Sequence, residues 1–569
     1  MYKRQANAYL NWSPKLGDDH TFKALAGWNI EKQKYETLTI KREGFVTASK
    51  PSFGLMNGTT TDPTVGGYIW SYVGAFFRLN YGYKGKYLAE VSGRYDGSSK
   101  FPTNSKWGFF PSASVAWRVS EEPWMKWSEE WLDNAKIRLS AGSMGNGNVD
   151  PYSYTSEMTV ATASDIVLGG GLPSYTTVGS TVPVSLTWEK STTYDLGLDL
   201  DFLNNRLSFS GDYYRRYTTD MYTPSISLPS VYGTTSPKGN NAELRTTGWE
   251  LSLTWRDSFK LGGKPFDYSI KAMVWDNRTV VTKYENATRS LGTLKGYIQN
   301  GGSPSDFYEG MELGEMWGYT VAGLFRDQAD IDSSATHDFT QASDKVTRPG
   351  QVKIADLDHN GNIDPGAFTA DDHGDLSIIG NINPHYMFGV NLAANWNGIG
   401  LSVFLQGVMK RDWYPSPDSG YFWGKYARPF MWVLGIHNYT DDMYSKEKNN
   451  WDTAYWPRMT TYQSNSSYSW TKLLEIPNTR YKQNAAYLRV KNIQVDYTFP
   501  KALCQKIRLG GLKIYLSGEN LFTFTPLHKY APNFDPEALG YDTDFSSTAG
   551  DGYTYPVLKS VTLGVNITF

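Results

Sequence analysis

A chain of 569 residues with Lys+Arg 55 against Asp+Glu 57 carries nearly balanced charge, which excludes the electrostatic footprint of a nucleic-acid binder. Aromatic residues make up 15 % of it, with Tyr 40 and Trp 20, residue types that suit a water–lipid interface or a sugar-stacking surface. The single cysteine, Cys504, excludes an internal disulfide and any Cys-based metal or redox motif, and is expected packed in or beside a strand.

There is no run of about 18 apolar residues, so no membrane-crossing helix is expected. A transmembrane β-barrel passes that filter, because its lumen face is polar. Met1–Trp12 has no apolar signal-peptide core, and further chain is expected upstream of it.

Thr21–Tyr35 reads as a strand running into a polar loop. Ile69–Tyr95 reads as a long-stranded hairpin: Ser71, Val73, Ala75, Phe77, Leu79 and Tyr81 share one face, and Lys84-Gly85-Lys86 makes the turn. Its other face carries Arg78, Glu90, Arg94 and Asp96, which a wet lumen accommodates and a dry sandwich core does not. The same period of two recurs at Tyr194–Phe202, Leu207–Tyr213, Trp249–Trp255, Phe266–Val274, Tyr386–Ala394, Leu401–Leu405, Ile493–Phe499 and Leu512–Leu516. Turns are expected at Asn204-Asn205 and Asn397-Gly398. The last strand alternates Val561, Leu563, Val565, Ile567 and Phe569 against polar neighbours, and runs to the final residue.

Roughly 14–16 strands are expected, joined alternately by short turns and long loops, the asymmetry of an outer-membrane barrel. The long loops are placed near 144–187, 221–245, 283–384 and 409–484. The fold class is all-β: an antiparallel up-and-down transmembrane barrel, with residues 1–569 forming one partial barrel domain. The alternative is a soluble, secreted all-β carbohydrate-binding or hydrolytic protein. The outward apolar alternation and the terminal Phe569 argue against it.

Gly93–Met125 reads GRYDGSSKFPTNSKWGFFPSASVAWRVSEEPWM. At Arg94, Asp96, Gly97, Trp107, Pro111 and Trp117 it resembles the signature of SusC/RagA-type TonB-dependent outer-membrane transporters. Tyr487–Asn492, Ser517–Phe522 and Tyr555-Pro556 extend the resemblance over nearly the whole chain. The resemblance implies a barrel of about 22 strands around an N-terminal plug, with TonB pulling on the plug. It implies a SusD-like surface lipoprotein as lid, and import of oligosaccharides or, in RagA-like members, peptides. The plug is not found in this chain, so the chain is expected to be the C-terminal part of such a barrel, its last strand lacking a neighbour on one edge. Phe569 resembles the terminal signal read by the barrel-assembly machinery. A passive porin or a siderophore receptor shares the barrel, and the Arg94–Arg118 signature argues against both.

Asp356-Leu-Asp358-His-Asn360-Gly361-Asn362-Ile363-Asp364 has oxygen-bearing side chains at alternate positions and a glycine at the sharp turn, as in a calcium loop. Position 12 falls on Ala367, which has no ligand atom; Asp371, Asp372 or Asp375 can substitute after a short insertion, with Asp372 the candidate extra ligand. The expected ion is structural Ca2+; the other reading is an Asx-rich turn without metal. Trp413, Tyr414, Tyr421 and Trp423 crowd one long loop, suited to packing on the rim, to a lid partner or to substrate stacking. Trp117, Trp124, Trp127 and Trp131 suit an interfacial girdle facing outer-membrane lipid. The seven histidines are scattered, with neither H-E-x-x-H nor G-x-S-x-G, and no enzyme activity is expected.

Overall fold

The computed structural model describes residues 1–44, 47, 52–61, 63–156, 158–163, 166–178, 182, 186–224, 238–291, 307–337, 347–415, 422, 442–458, 477–539 and 557–569. In chain order the strands are β1 (Tyr2–Trp12), β2 (His20–Thr39), β3 (Thr64–Tyr83), β4 (Tyr87–Ser98), β5 (Trp107–Arg118), β6 (Leu132–Asn146), β7 (Met158–Thr162), β8 (Ser174–Val178), β9 (Glu189–Phe202), β10 (Leu207–Pro224), β11 (Lys238–Leu261) and β12 (Lys264–Lys283). There follow β13 (Glu315–Tyr319), β14 (Val321–Leu324), β15 (Val352–Ile354), β16 (Leu376–Asn381), β17 (His385–Trp396), β18 (Ile399–Lys410), β19 (Asp412–Trp413), β20 (Gln483–Asn484), β21 (Tyr487–Thr498), β22 (Gly511–Phe524) and β23 (Ser560–Thr568). Short helices among the described residues include α1 (Gln328–Asp332) and α2 (Lys501–Lys506).

One 15-stranded sheet runs β1-β2-β3-β4-β5-β6-β9-β10-β11-β12-β17-β18-β21-β22-β23, so chain order is sheet order. That is the up-and-down meander expected from the alternation. The remaining strands form two-stranded ladders within the long connections: β7-β8, β13-β16, β14-β15 and β19-β20. Among the described residues no helix is long and apolar enough to cross a membrane.

The hairpin turns follow from backbone chirality. Asn397 and Gly398 both take positive φ, 48° and 89°, in a two-residue loop between the paired residues Trp396 and Ile399. That conformation suits the right-handed twist of the flanking strands. Lys84 and Gly85 do the same at 52° and 66°. β11 begins at Lys238, inside the segment expected as a loop up to 245, because its first turns of strand are polar and carry no apolar alternation. Cys504 is buried on α2, a helix that packs against β22, with its Sγ 3.8 Å from the Phe499 carbonyl. β23 stops at Thr568, and Phe569 lies just past it, 94 % exposed.

Close contacts divide the chain into two units: Met1–Met125 with Lys136–Leu196 and Tyr214–Arg245, and Lys126–Ala135 with Gly197–Tyr213 and Thr246–Phe569. The first has an apolar core of Phe101, Phe110, Val149, Leu186 and Trp188. The second is packed around Trp413, Phe422, Trp456 and Tyr481, all fully buried. In both, the buried side chains come largely from connections. The strands place apolar side chains outward, where Val91, Tyr95, Phe109 and Val115 are exposed.

β5 measures the apolar band. Trp107 stacks on Tyr95 with ring centroids 5.1 Å apart at one end. At the other, Trp117 donates to Glu122 at 3.0 Å, and Tyr87 donates to the same carboxylate at 2.5 Å. Ten positions of strand separate the two tryptophans, about 33 Å along the strand and about 25 Å at a tilt of about 40°, the height of a barrel's lipid-facing band. Trp124, 58 % exposed, extends the second belt and packs edge to face on Trp117 with ring centroids 6.4 Å apart.

Candidate functional site

The charged face of the hairpin forms a linked set. Arg94 grips Asp96 with both ends of its fork, Nη2 to Oδ1 at 2.9 Å and Nε to Oδ2 at 3.1 Å. It also donates to Asn29 at 3.2 Å and to the Tyr72 hydroxyl at 3.4 Å. Asp96 is 4 % exposed while the Arg94 side chain stays 44 % exposed, so a buried carboxylate is held in a two-point grip by a guanidinium that still reaches water. Gly74 makes room for it: a Cβ there would lie 2.2 Å from Asp96 Oδ1 and 2.8 Å from Arg94 Nη2. Arg78 and Glu90 meet at 2.7 Å on the same face. Gly97 admits the Trp107 ring, 2.6 Å from where a Cβ would sit. Pro111 pairs with Gly93 but falls one residue outside the β5–β6 register, which starts at Ser112, so its missing N–H is tolerated. The signature residues thus build wall, belt and charged face.

A second charged cluster was not foreseen from the sequence. The β18–β21 register shifts between Phe404 and Leu405, which pair with Asn492 and Val490 and leave Lys491 as the extra residue. Such a bulge changes which side chains share a face. It lets Arg489 pair with Asp535 at 2.5 Å and Glu537 at 2.8 Å, while Lys491 reaches Glu537 at 2.7 Å. Arg411 adds bonds to the carbonyls of Pro536 and Leu539 at 3.0 and 2.9 Å. Three cations therefore clamp the segment after β22. Burial pushes the Asp535 carboxyl up, but the Glu537 N–H and the Arg489 guanidinium hold it below the usual range.

The connection between β12 and β17 carries the acidic loop. Asp356, Asp358 and Asp375 each offer a carboxylate oxygen, all within 4.8 Å of one another. Asp375, one of the three expected candidates, brings the distant carboxylate, and the choice of Asp372 is corrected. Asp375 is fully buried and accepts from Leu357 N at 2.6 Å and Asp364 N at 3.0 Å. Asp372 faces Gly366, and Asp371 pairs with Arg289. Asn360 turns its amide N–H to Asp358 at 2.9 Å and Asp364 at 3.4 Å, and its oxygen accepts from Asn362 N at 2.7 Å. Asp364 caps Gly366 N at 2.8 Å. Asn360, Asn362 and Asp364 therefore shape the loop, and the three aspartates converge.

Asp356 Oδ1 is buried without a hydrogen-bond partner. An orphaned carboxylate oxygen beside two more carboxylates fits a hard cation with oxygen ligands. Burial and then the charges of Asp358 and Asp356 leave the Asp375 carboxyl above its usual range, despite two backbone N–H bonds. Burial also pushes Asp356 up, but N–H groups from Gly361, His359 and Asn360 bring it below the usual range. Beside the loop, His337 accepts at Nε2 from Ile354 N at 2.8 Å, and its Nδ1 lies 2.9 Å from the Ala335 carbonyl. Burial pushes its pKa down to about 4.

Trp413 and Tyr414 are each 1 % exposed. Trp413 packs against Phe422 and Phe534, and Tyr414 accepts from Asn478 at 2.8 Å. They are core, which agrees with packing, the first of the three expected roles, and not with a surface for substrate or lid. Tyr421 and Trp423 lie outside the described residues.

The sequence model described as "TonB dependent receptor-like, beta-barrel" matches residues 2–352. The chain belongs to the TonB-dependent receptor β-barrel family. It is 27 % identical over 574 residues to TonB-dependent receptor P3 of Formosa agariphila, covering 99 % of this chain and 52 % of that one. To TonB-dependent receptor SusC of Bacteroides thetaiotaomicron it is 25 % identical over 513 residues, covering 87 % and 44 %. The chain spans about half the length of these curated relatives, which are receptors rather than enzymes. Its fold is that of the RagAB peptide transporter, with a TM-score of 0.73 at 19 % identity, covering 100 % of this chain and 55 % of that one. In the "open-open" state of the RagAB peptide importer the TM-score is 0.70.

Proposed function

We propose that this chain is the lumen wall and loop-bearing part of a SusC/RagA-type importer of the outer membrane, taking up oligosaccharides or peptides with a SusD-like surface lipoprotein. Energy would come from TonB through a plug carried by the rest of the protein. The observation that supports this most is the wall itself: a chain-ordered meander with an apolar outer face between two aromatic belts and fixed ion pairs on the opposite face. Such a wall encloses a polar path and performs no chemistry on what passes. Deleting the full-length gene should abolish growth on one glycan or peptide source, and removing TonB should do the same. Growth on every such source without the gene would sink the reading. The lid is tested separately: a SusD-like lipoprotein should co-purify with the full-length receptor.

We also propose that Asp356, Asp358 and Asp375 hold a divalent cation, best Ca2+, that fastens the loop between β12 and β17. When bound, the ion would neutralise the converging carboxylates; the chain's own part is to hold them by backbone N–H bonds. Metal analysis of the intact receptor should find one ion per chain that Asp358→Ala removes. Equal metal content in both, or none in either, would overturn this.

A further inference from the structure

Tyr68, Trp70 and Tyr72 occupy alternate positions of β3 and so share one face. The β2–β3 register sets them opposite Tyr35, Gln33 and Glu31. Theirs is the charged face of the wall: the Arg94 guanidinium reaches both the Tyr72 hydroxyl and Asn29. The opposite face of the same strands is the apolar one, where Ala26 lies opposite Phe77 and Ile30 opposite Val73. Three aromatic rungs therefore stand on the side of the wall where a barrel places polar side chains.

The aromatic belt sets their height. Gly97 pairs with both Val73 and Trp107, so Val73 is level with the tryptophan that ends the lipid-facing band. Trp70 and Tyr68 lie three and five positions beyond Val73 on β3. That is about 10 and about 16 Å along the strand, or about 8 and about 13 Å of height at barrel tilt. They rise on the side of the long β2–β3 connection, residues 40–63, and away from the three-residue turn Lys84–Lys86. Long connections of such barrels are extracellular, so these two rungs stand above the lipid band on the inner side of the wall.

The rungs are fixed from below and from the side. Tyr72 meets Trp188 edge to face with ring centroids 6.4 Å apart, and Trp188 packs on Phe101 and Phe110 in the buried core. Tyr35 and Tyr68 stack at 5.1 Å, and Gln33 donates to the Tyr68 hydroxyl at 3.2 Å. The Lys100 ammonium lies 5.4 Å from the Trp70 ring centroid. Tyr35, Gln33, Tyr68 and Trp70 are nevertheless only half-buried, so part of each stays open. A surface ordered before its ligand arrives loses little entropy on binding.

The chemistry on offer favours a sugar over a peptide. A peptide is commonly recognised at a sheet by pairing its main chain to a free strand edge. Above the end of β4 that edge of β3 is closed: Ser71 N donates to Ser99 Oγ at 2.8 Å, the Ser71 carbonyl accepts from Ser99 N at 2.9 Å, and Ile69 N donates to the Tyr152 hydroxyl at 3.0 Å. What is left to a ligand is flat rings beside an amide, a set that takes the C–H face of a sugar ring and its hydroxyls together. We propose that Trp70 and Tyr68, with Gln33 beside them, form a stacking subsite for an oligosaccharide, so that the cargo is glycan rather than peptide. The inference rests on the importer reading above and narrows its substrate class.

The test uses the full-length receptor in mild detergent, with binding read by calorimetry. The probes are oligosaccharide pools from neutral and from uronic polysaccharides, and a tryptic protein digest as the peptide pool. At least one glycan pool should bind, and the peptide pool should neither bind nor compete. Trp70→Ala and Tyr68→Ala should each weaken glycan binding by about tenfold, the loss of one stacked ring. Trp70→Phe, which keeps a ring, should stay within about threefold, and Phe109→Ala, on the apolar outer face, should change nothing. Should Trp70→Ala fail to assemble, Trp70→Leu, with bulk but no ring, carries the same expectation. Hydroxyl-radical labelling should modify Trp70 in the unliganded receptor, and bound glycan should protect it. Unchanged glycan affinity in the ring-less variants, binding of the peptide pool alone, binding of no pool, or Trp70 already protected without ligand by chain upstream would each overturn the proposal. A receptor absent from the outer membrane refutes the importer reading, whereas a correctly placed receptor that takes up peptides refutes this inference alone.

Discussion

Arg489 and Asp535 meet at 2.5 Å with side chains only 3 % and 8 % exposed, one on β21 and the other on the segment that follows β22. The pair joins a wall strand to a connection, and a bulge at Lys491 makes it possible. Removing one member of such a buried pair leaves the other desolvated and uncompensated, at a cost of about 3–5 kcal/mol. Arg489→Met should therefore release residues 526–539, read as faster hydrogen exchange there while β21 stays protected. Arg489→Lys should not restore protection, because a single ammonium cannot serve Asp535, Glu537 and Thr523 together. Unchanged exchange in either variant would contradict this.

Gly74 should tolerate no side chain. A Cβ would sit 2.6 Å from Asn29 Oδ1 as well as against Asp96 and Arg94. Gly74→Ala should cost about 1–3 kcal/mol by forcing the ion pair apart. The midpoint of urea-induced loss of heat-modifiable mobility should fall, and a midpoint equal to that of the unaltered receptor would show that the pair can shift freely.

His337 makes the loop between β12 and β17 acid-sensitive. Its folded pKa, about 4, lies below the ordinary 6.5, so the unfolded loop binds the proton more readily. The stabilisation is complete above pH 6.5 and fades as pH falls toward about 4, to a total of about 3 kcal/mol. Hydrogen exchange in residues 352–376, corrected for the intrinsic pH effect, should rise between pH 7 and 4.5. His337→Gln, which cannot take the proton, should flatten that rise.

Trp413→Ala should behave as a core truncation. The side chain is buried among Phe422 and Phe534, so its loss should cost about 3–5 kcal/mol locally. Limited proteolysis should cut the connection between β18 and β21 at least tenfold faster. If cleavage is unchanged but substrate affinity falls, the residue contacts substrate after all.

The wall was legible because a period of two survives every local detail: Val561, Leu563, Val565 and Ile567 are all exposed on the outer face, as the alternation requires. Turn chemistry at Asn397-Gly398 was equally plain, since few residue pairs accept two positive φ values. Asp375 was harder to single out, because three acids within five positions are equivalent on paper and only the fold of the loop separates them. Trp413 and Tyr414 were ambiguous for a related reason: an aromatic run has the same composition in a core and on a surface. The cluster around Arg489 left no pattern, since a bulge shifts which residues share a face without changing the residue types.

That bulge has a genetic corollary. Connections such as the one between β12 and β17 can gain or lose residues with modest effect, since their ends stay where the wall puts them. A wall strand counts parity instead. Deleting Lys491 would close the bulge with Val490 still opposite Leu405 and Arg489 still opposite Gln406, whereas deleting any other single residue of β21 would turn part of its charged face to the apolar side. Length variation among relatives should therefore be common between strands and, within a wall strand, be found singly only at a bulge such as position 491.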